Sequence, residues 1–341
     1  MTTIYEVVIW LVIFMAFLLP EGQSSTYSKH LPHDISFNQS DLIREIITPF
    51  FGYFVCEYYI GTEVGEFADI AAPIALKLNC TDDLEKVQAH DMIYVQVNYL
   101  EVFIDKYISV LKVPIFLVTG QWREPYVTMD PTVDRRYLAL KNSQQITTAI
   151  INNSYILHWF MQNPHIFHDK ISGIPYGINH RNLESYANIL RHFDSFNKTQ
   201  FLTLTYFSSS HWTRTPLIAA SKKNNKQVRL NGSVFYTKIA ESYYVLSPVG
   251  DRPDCYRHWE AIGLGAIPIC NCPITYGPLF RGNMLFVSNS DYNHIIELSD
   301  TWAKSTYQVP SRRLVFVSYW RAVLHETRQS KINAYNTSSI L

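Results

Sequence analysis

The sequence predicts an α/β protein made of two parallel sheets, each covered by helices. Short apolar runs rich in β-branched and aromatic residues alternate with helix-like segments. Each strand–helix–strand unit spans about 30 residues, which is enough for the crossover that parallel pairing requires. The alternation pauses near residues 175–195 and then restarts, which predicts two domains. With 341 residues, 47% of them hydrophobic and 17% charged, the chain has room for both.

Three predicted strands make up the first half. They are residues 92–97, 113–119 and 155–160, and a helix over 99–112 joins the first two. A rigid turn at Pro175 and Gly177 and a polar helix over 181–196 lead into the second half.

The second half repeats the pattern. Its predicted elements are a strand over 200–207, a helix over 215–222, a strand over 243–246, a helix ending at a Gly263/Gly265 stop, and a strand over 266–270. In open parallel sheets ligands bind outside the carboxyl ends of the strands. We therefore expect function in the loops 120–126, 207–214 and 247–254.

The N-terminus carries an apolar run from Val7 to Leu19 that ends at Pro20-Glu21. Its 13 residues suit the core of a signal peptide, and a short signal anchor is the alternative. Either one sends the chain into the secretory pathway, as a single-pass type II protein of the Golgi or ER lumen or as a secreted protein. We divide the chain into this signal (1–20), a polar stem (21–40), a first domain (41–180) and a second domain (181–341).

Glycosylation sequons agree with a lumenal location. Six Asn-x-Ser/Thr sequons are present, at Asn38, Asn79, Asn152, Asn197, Asn231 and Asn336. The formal net charge is zero, with 29 basic and 29 acidic residues. No global field therefore favours nucleic acid, which we exclude as a partner.

Five cysteines permit one or two disulfides in an oxidising compartment. Cys56 with Cys80 is a plausible local pair, and Cys255 could pair with Cys270 or Cys272. The Cys270-Asn-Cys272 spacing is one residue tighter than that of a zinc knuckle, and we see no second Cys/His pair beside it. We therefore predict no metal site there.

The segment after the strand 243–246 combines features that suit an anion. A helix starting near 251–254, capped by Asp251 or Asp254, directs free backbone N–H groups at the loop. Arg257 in the first turn could clamp phosphate oxygens. Glu260, three residues on, could accept hydrogen bonds from two ribose hydroxyls. The alternative is a surface ion pair between the two, worth about 0.2–0.5 kcal/mol.

Four short motifs here resemble the donor-binding signature of exostosin-like glycosyltransferases. They are Ser247-Pro-Val-Gly250, Arg257-His-Trp-Glu260-Ala-Ile, Gly265-Ala-Ile-Pro-Ile269 and Tyr276-Gly-Pro-Leu-Phe280. The resemblance covers residues 247–280, and the rest of the chain agrees only in architecture. It implies the GT-B fold, in which two Rossmann-like domains face each other across a cleft and the C-terminal one holds a nucleotide-sugar.

The resemblance also implies roles for single residues. Ser247, Gly250 and Arg257 would contact the phosphates or nucleotide of the donor, and Glu260 the ribose. Val249 stands where family members often carry a basic residue, and Arg252 could substitute for it.

Arg214 ends the loop His211-Trp-Thr-Arg214, just before a predicted helix. It could neutralise a diphosphate leaving group, and a solvated surface arginine is the alternative. The sequence contains no Asp-x-Asp metal motif, which favours chemistry without a metal.

The loop 120–126 supplies candidates for the acceptor side. Glu124 is the best-placed general base for an inverting transfer, with Asp130 and Asp91 behind it. Trp122 and Tyr126 could stack on sugar faces. The alternative for Glu124 is a surface pair with Arg123.

Two polar residues follow the strand 155–160 on the same side of the predicted sheet. Asn163 and His165 could face the cleft or hydrogen-bond a turn.

Three functional hypotheses result. The first is a lumenal hexosyl- or pentosyltransferase that uses a nucleotide-sugar, with UDP-sugars favoured, and a glycan or glycoprotein acceptor, without a cofactor. The second is an inactive sugar-binding or partner subunit. The third is a fucosyltransferase-like enzyme that uses a GDP-sugar. A homo- or hetero-oligomer is open in each case.

Overall fold

The computed structural model describes residues 39–61, 75–120, 142–203, 213–223, 230–288 and 306–338. The strands in these ranges are β1 Tyr58–Ile60, β2 Leu76–Lys77, β3 Met92–Gln96, β4 Ile115–Gly120, β5 Ile156–Gln162, β6 Ile171–Ile174, β7 Gln200–Thr203, β8 Ser242–Leu246, β9 Ile267–Cys270 and β10 Leu285–Phe286. The α-helices are α1 Gln39–Glu45, α2 Phe51–Phe54, α3 Leu100–Val102, α4 Ser143–Asn152, α5 Leu183–Arg191, α6 Arg214–Lys223, α7 Gly232–Ala240, α8 Tyr256–Gly263, α9 Gly277–Phe280 and α10 Val317–Ser338.

Single turns of tighter or wider helix supplement these elements. The 3₁₀ turns are Thr81–Lys86, Val97–Tyr99, Ile108–Val110, His180–Asn182, Phe193–Ser195, Ile274–Tyr276 and Arg312–Val315, and a π-helical turn spans Phe103–Tyr107. The predicted helix over 99–112 is therefore helical but irregular. The π-helical turn leaves Phe103 and Tyr107 stacked, with ring centroids 6.3 Å apart and both rings buried.

The strands form two sheets, and the pairing within each is parallel. The first sheet has the order β2-β1-β3-β4-β5-β6, and the second has the order β10-β9-β8-β7. Every residue of β3 and β4 is buried, as expected for strands that helices cover on both faces. The prediction of a mixed α/β protein with two parallel sheets is confirmed.

The strand–helix–strand unit at 242–270 positions the candidate site. β8 ends at Leu246, a loop follows, α8 runs from Tyr256 to Gly263, and β9 begins at Ile267. Gly265 adopts a left-handed φ of +65° between the helix and β9, a conformation that glycine adopts at little steric cost.

One hydrophobic cluster joins the two sheets. It contains Phe116 and Phe160 from the first sheet and Trp259 and Phe280 from the second half.

Helix α10 returns from the second half to pack on the first. Arg328 Nη2 donates to the carbonyl of His90 at 2.7 Å, and its Nη1 lies 3.5 Å from a carboxylate oxygen of Glu57. Lys331 Nζ donates to the carbonyl of Asp169 at 2.6 Å. The second half of the chain therefore helps to cover the first sheet.

No helix among the described residues is long and apolar enough to cross a membrane. The apolar run 7–19 and the stem up to residue 38 lie outside the described residues.

Both cysteine pairs expected from the sequence are wrong. Cys56 is buried after α2, with its thiol donating to the carbonyl of Gly52 at 3.1 Å, whereas Cys80 is exposed before a 3₁₀ turn. Cys255 is also a free thiol, and the disulfide of the structure joins Cys270 to Cys272. The turn after β9 brings Cys270 and Cys272 together, so they pair with each other and not with Cys255.

Candidate functional site

The loop 247–254 leaves the carboxyl end of β8, as predicted, but α8 begins later than expected. Its N-cap residue is Cys255, which makes no side-chain cap. The expected cap by Asp251 or Asp254 is therefore wrong, because Asp251 is exposed and Asp254 is buried with other partners. The Asp254 carboxylate accepts hydrogen bonds from the backbone N–H of Tyr176 and the indole of Trp259, each at 2.8 Å. Asp254 thus links the loop to the first half of the chain.

Glu260 lies on the buried face of α8, three residues after Arg257. Its side chain accepts a hydrogen bond from the hydroxyl of Tyr236 at 3.0 Å, and the residue is 5% exposed. Burial raises its pKa to about 7, and the nearby charge of Arg257 opposes that shift. The surface ion pair considered above is therefore wrong, because Glu260 is not at the surface.

Arg257 is half-buried in the first turn of α8, where the sequence places it. Its guanidinium lies 5.7 Å from the ring centroid of Phe235. Burial lowers the pKa of Arg257 to about 10, and the positive charge of Arg214 adds to this shift. The two guanidinium groups therefore repel each other at this edge of the second sheet.

Arg214, the first residue of α6, reaches into the loop after β8. Its Nε donates to the carbonyl of Val249 at 2.7 Å and its Nη2 to that of Pro248 at 2.9 Å. A Cβ atom on Gly250 would lie 2.8 Å from Nη2, so glycine permits this close approach. The surface alternative for Arg214 is also wrong, since the residue is buried and organises the loop.

Ser247, Val249 and Arg252 all have buried side chains. Ser247 Oγ lies 2.6 Å from Nδ1 of His258, and the Val249 N–H donates to the side chain of Asn271 at 2.9 Å. Arg252 Nη1 donates to the hydroxyl of Tyr176 at 2.6 Å. Arg252 therefore faces the first half of the chain as well as the loop.

Most residues predicted for the acceptor side lie outside the part of the chain that the structure describes. Trp122, Arg123, Glu124, Tyr126, Asp130 and His211 lie outside the described residues. Asp91 is described, but it precedes β3 and accepts from the N–H of Gln88 at 2.7 Å. It therefore lies at the amino end of its strand, opposite to the loops that follow the carboxyl ends.

Asn163 and His165 both make hydrogen bonds. Asn163 adopts a left-handed φ of +60°, and its side-chain oxygen accepts from the N–H of Asp254 and the hydroxyl of Tyr276, both at 3.1 Å. His165 Nε2 lies 3.0 Å from the hydroxyl of Thr147, and burial lowers its pKa to about 4. Asn163 thus joins the first sheet to the loop 247–254.

A second group of chemically active side chains lies beneath the same loop. His258 on α8 directs Nε2 toward Cys270 and Cys272, with nitrogen–sulfur distances of 3.4 and 3.3 Å. Burial lowers the pKa of this histidine to about 4. His258 is not among the residues expected from the sequence, although the Cys255-x-x-His258 spacing is a second Cys/His pair that signals it.

The sequon asparagines in the described part of the chain are exposed. They are Asn79, Asn152, Asn197, Asn231 and Asn336. Asn38 lies outside the described residues.

No protein-family model and no curated protein matches the chain. A crystal structure of the GtfA/B complex is similar to it, with a TM-score of 0.39 and 12% sequence identity. That match covers 73% of this chain and 60% of the other chain, so this chain spans less than two thirds of that neighbour. A similarity of this extent assigns neither a family nor an activity.

Proposed function

We propose that this protein is a glycosyltransferase that takes a sugar from a nucleotide diphosphate sugar held at the carboxyl edge of its second sheet. One observation carries the proposal: the buried guanidinium of Arg214 binds the carbonyls of Pro248 and Val249 in the loop after β8, and that loop leads into the first turn of α8, which carries Arg257. Bringing two guanidinium groups together inside a protein costs free energy, and a bound diphosphate would offset that cost. The loop that contains Gly250 lies against Arg214 and leads into the helix that carries Arg257.

Glu260 extends this site toward a sugar hydroxyl. A carboxyl group whose pKa is raised to about 7 by burial gains from new hydrogen-bond donors, and the two hydroxyls of a ribose supply such donors. Arg257 and Glu260 would thus hold adjoining parts of one nucleotide, its phosphate and its ribose. The motifs at 247–280 support this assignment through their resemblance to the exostosin-like donor signature.

The rest of the reaction is assigned from the sequence. Glu124 would deprotonate the acceptor hydroxyl, and the donor anomeric centre would be inverted without a metal at the diphosphate. Trp122 and Tyr126 would stack on a glycan or glycoprotein acceptor. The six sequons and the apolar run 7–19 support action in the secretory pathway, with UDP-sugars as the favoured donors.

A second candidate is an inactive sugar-binding or partner subunit. Arg214 uses Nε and Nη2 on loop carbonyls, and a buried Val249 stands where a basic residue is common. The first feature leaves fewer guanidinium donors for a leaving group, and the second removes a positive charge from the site. An inactive subunit would bind the nucleotide without turning over any sugar donor.

Nucleotide binding to the full-length chain tests the proposal. We expect UDP at saturating concentration to raise the melting temperature, and uridine, which lacks the phosphates, to bind more weakly and raise it less at the same concentration. Arg257→Ala should weaken UDP binding by about tenfold or more, because it removes a charge-assisted contact. Glu260→Gln keeps the shape of the side chain and should weaken UDP and uridine alike. Isothermal titration calorimetry gives each affinity.

Arg191→Ala and Glu184→Ala, two exposed positions on α5, are the matched controls and should bind like the wild type. If UDP, GDP and CMP all leave the wild-type melting temperature unchanged, the nucleotide-sugar site is wrong. A preference for GDP would select the fucosyltransferase-like alternative. Binding without hydrolysis or transfer of any nucleotide-sugar would select the inactive subunit.

A further inference from the structure

The cluster beneath the loop 247–254 consists of His258, Cys270 and Cys272, all buried. One ligand atom from each lies within 4.8 Å of the others. The thiol of Cys255 is next to them, 3.6 Å from Nε2 of His258. Three sulfurs therefore surround one imidazole nitrogen, at 3.3, 3.4 and 3.6 Å.

These spacings match those around a tetrahedral zinc ion. Zinc binds thiolate sulfur at about 2.3 Å and imidazole nitrogen at about 2.0 Å, so ligand nitrogen and sulfur atoms lie about 3.5 Å apart. We propose that Cys255, His258, Cys270 and Cys272 bind one Zn²⁺ ion when the cysteines are reduced. The site lies beneath the loop 247–254 and borders the proposed nucleotide site at Ser247, but the proposal does not depend on the proposed function.

The hydrogen bonds of His258 are compatible with its role as a metal ligand. Ser247 Oγ lies 2.6 Å from Nδ1. When the ring proton is on Nδ1, the N–H donates a hydrogen bond to this hydroxyl, and the lone pair of Nε2 is left toward the sulfurs. Without the ion, Nε2 lies 3.0 Å from the carbonyl of Pro253 and donates to it. Binding the metal thus moves the ring proton from Nε2 to Nδ1, with no net gain or loss at the ring.

The fourth ligand is the least fixed. Cys255 Sγ is nearly equidistant from the two ring nitrogens, at 3.5 and 3.6 Å, so it lies beside the ring and not in line with Nε2. The residue is half-buried and precedes the first turn of α8, where rotation of its side chain can bring the sulfur to the ion. Cys255 should therefore contribute less to affinity than Cys270 or Cys272.

Oxidation state controls the site, because Cys270 and Cys272 form a disulfide in this structure. A dithiol reductant supplies two electrons and two protons, which convert the disulfide into two thiols while the reductant becomes a disulfide. Zn²⁺ then displaces the thiol protons of Cys255, Cys270 and Cys272, and three protons are released. The disulfide form has no thiolate at either position and cannot hold the ion.

Metal binding to the untagged full-length protein tests the proposal. Protein reduced with a phosphine should bind about one Zn²⁺ per chain, measured by mass spectrometry after dialysis. With Co²⁺ as probe, it should show thiolate-to-cobalt charge-transfer absorption. The same protein oxidised with diamide should lose both signals, and this comparison needs no substitution.

Variants place the site on named residues. Cys272→Ser should remove the cobalt charge transfer, whereas Cys80→Ser, an exposed cysteine outside the cluster, should retain it at full strength. Cys255→Ser should weaken binding and keep a smaller signal. Circular dichroism checks that each variant is folded. If reduced wild-type protein binds no metal, or if Cys272→Ser and Cys80→Ser bind equally, the zinc site is wrong.

Discussion

Lys198 shows how burial acts on a single charge in this protein. Its ammonium donates to the carbonyl of Leu264 at 3.2 Å and lies 5.6 Å from the ring centroid of Phe193. Burial lowers its pKa to about 7, and the positive charge of Arg312 adds to the shift. The folded protein therefore releases this proton about three pH units before the unfolded chain does.

The free energy of unfolding should consequently rise with pH between about 7 and 10. In that window only the unfolded chain binds the proton, and the contribution is at most about 1.4 kcal/mol per pH unit. Below pH 7 Lys198 is protonated in both states, so it no longer contributes to the change of the free energy of unfolding with pH. Lys198→Met should flatten the slope in urea denaturation between pH 7.5 and 9.5. Lys77→Met, at an exposed position, should leave it as in the wild type; equal slopes in all three proteins would contradict the prediction.

Sequence reasoning worked for residues whose neighbours are local. Arg257 and Glu260 share a helix face because they are three residues apart, and α8 places both at the loop. It failed where the partner is distant, as for Asp254, whose carboxylate binds the N–H of Tyr176. His258 combines both cases: its Cys255-x-x-His258 spacing is local and visible in the sequence, whereas the sulfurs of Cys270 and Cys272 come near it only when β9 folds against α8.

At the scale of elements, the last residue of α8, Gly263, packs closely against Tyr186 and Val315. A Cβ atom on Gly263 would overlap the hydroxyl of Tyr186 and lie 3.0 Å from both methyl groups of Val315. Helix α8 can therefore pack against α5 and the turn before α10 only because residue 263 has no side chain. The glycine also marks the end of the helix that carries the candidate site.

Gly263→Ala should lower the free energy of unfolding by about 1–3 kcal/mol, because the added methyl group overpacks the contact. Helix propensity alone predicts the opposite sign, a gain of about 1 kcal/mol. Gly232→Ala is the matched control, since a Cβ atom there would come no closer than 3.8 Å to a neighbour. It should leave stability unchanged or raise it slightly. Thermal denaturation compares the two, and a stabilised Gly263→Ala protein would overturn the packing argument.

The sequence predicted most strands and helices near the site, and it was less informative about short or irregular elements. β3, β4, β5 and β8 lie where their apolar runs predict them. The two-residue strands β2 and β10 carry too few residues to show a period. In the helical segment from 97 to 110, i to i+4 spacing competes with 3₁₀ and π-helical turns, and the sequence does not decide between them.

At the scale of the whole molecule, the two sheets share a hydrophobic cluster, and polar contacts add to it. Asn163 binds the N–H of Asp254, and Tyr176 contacts both Asp254 and Arg252. The two halves therefore share one cluster, in addition to a separate hydrophobic cluster within each half. The boundary near residues 175–195 separates two sheets in sequence, but the described residues pack across it.

Urea unfolding should accordingly occur as one transition. Tryptophan fluorescence reports on all seven tryptophans of the chain. The three in the described ranges are Trp159 in the first sheet and Trp259 and Trp320 in the shared cluster, all fully buried. Its midpoint should coincide with that of far-UV circular dichroism. Two separated midpoints would show that the halves unfold independently. Trp320→Phe, which loses the indole hydrogen bond to Leu314, should shift both signals together to lower urea.

Sequence reasoning predicted two α/β halves and could not predict how they join. The order β2-β1-β3 in the first sheet places β1 between two strands that follow it in the chain. Helix α10 belongs to the second half in sequence and lies on the first sheet. Both outcomes depend on contacts between residues far apart in the chain, which no local pattern encodes.

The return of α10 has a consequence for biosynthesis. Tyr319, Trp320 and Leu324 pack in the same cluster as Phe116 and Phe160 of the first sheet. A nascent chain that has emerged only as far as the second sheet leaves that apolar surface of β4 and β5 uncovered, although every strand has been made. This surface would therefore be the last to need protection by chaperones. A chain truncated before residue 317 would expose it and be prone to aggregation.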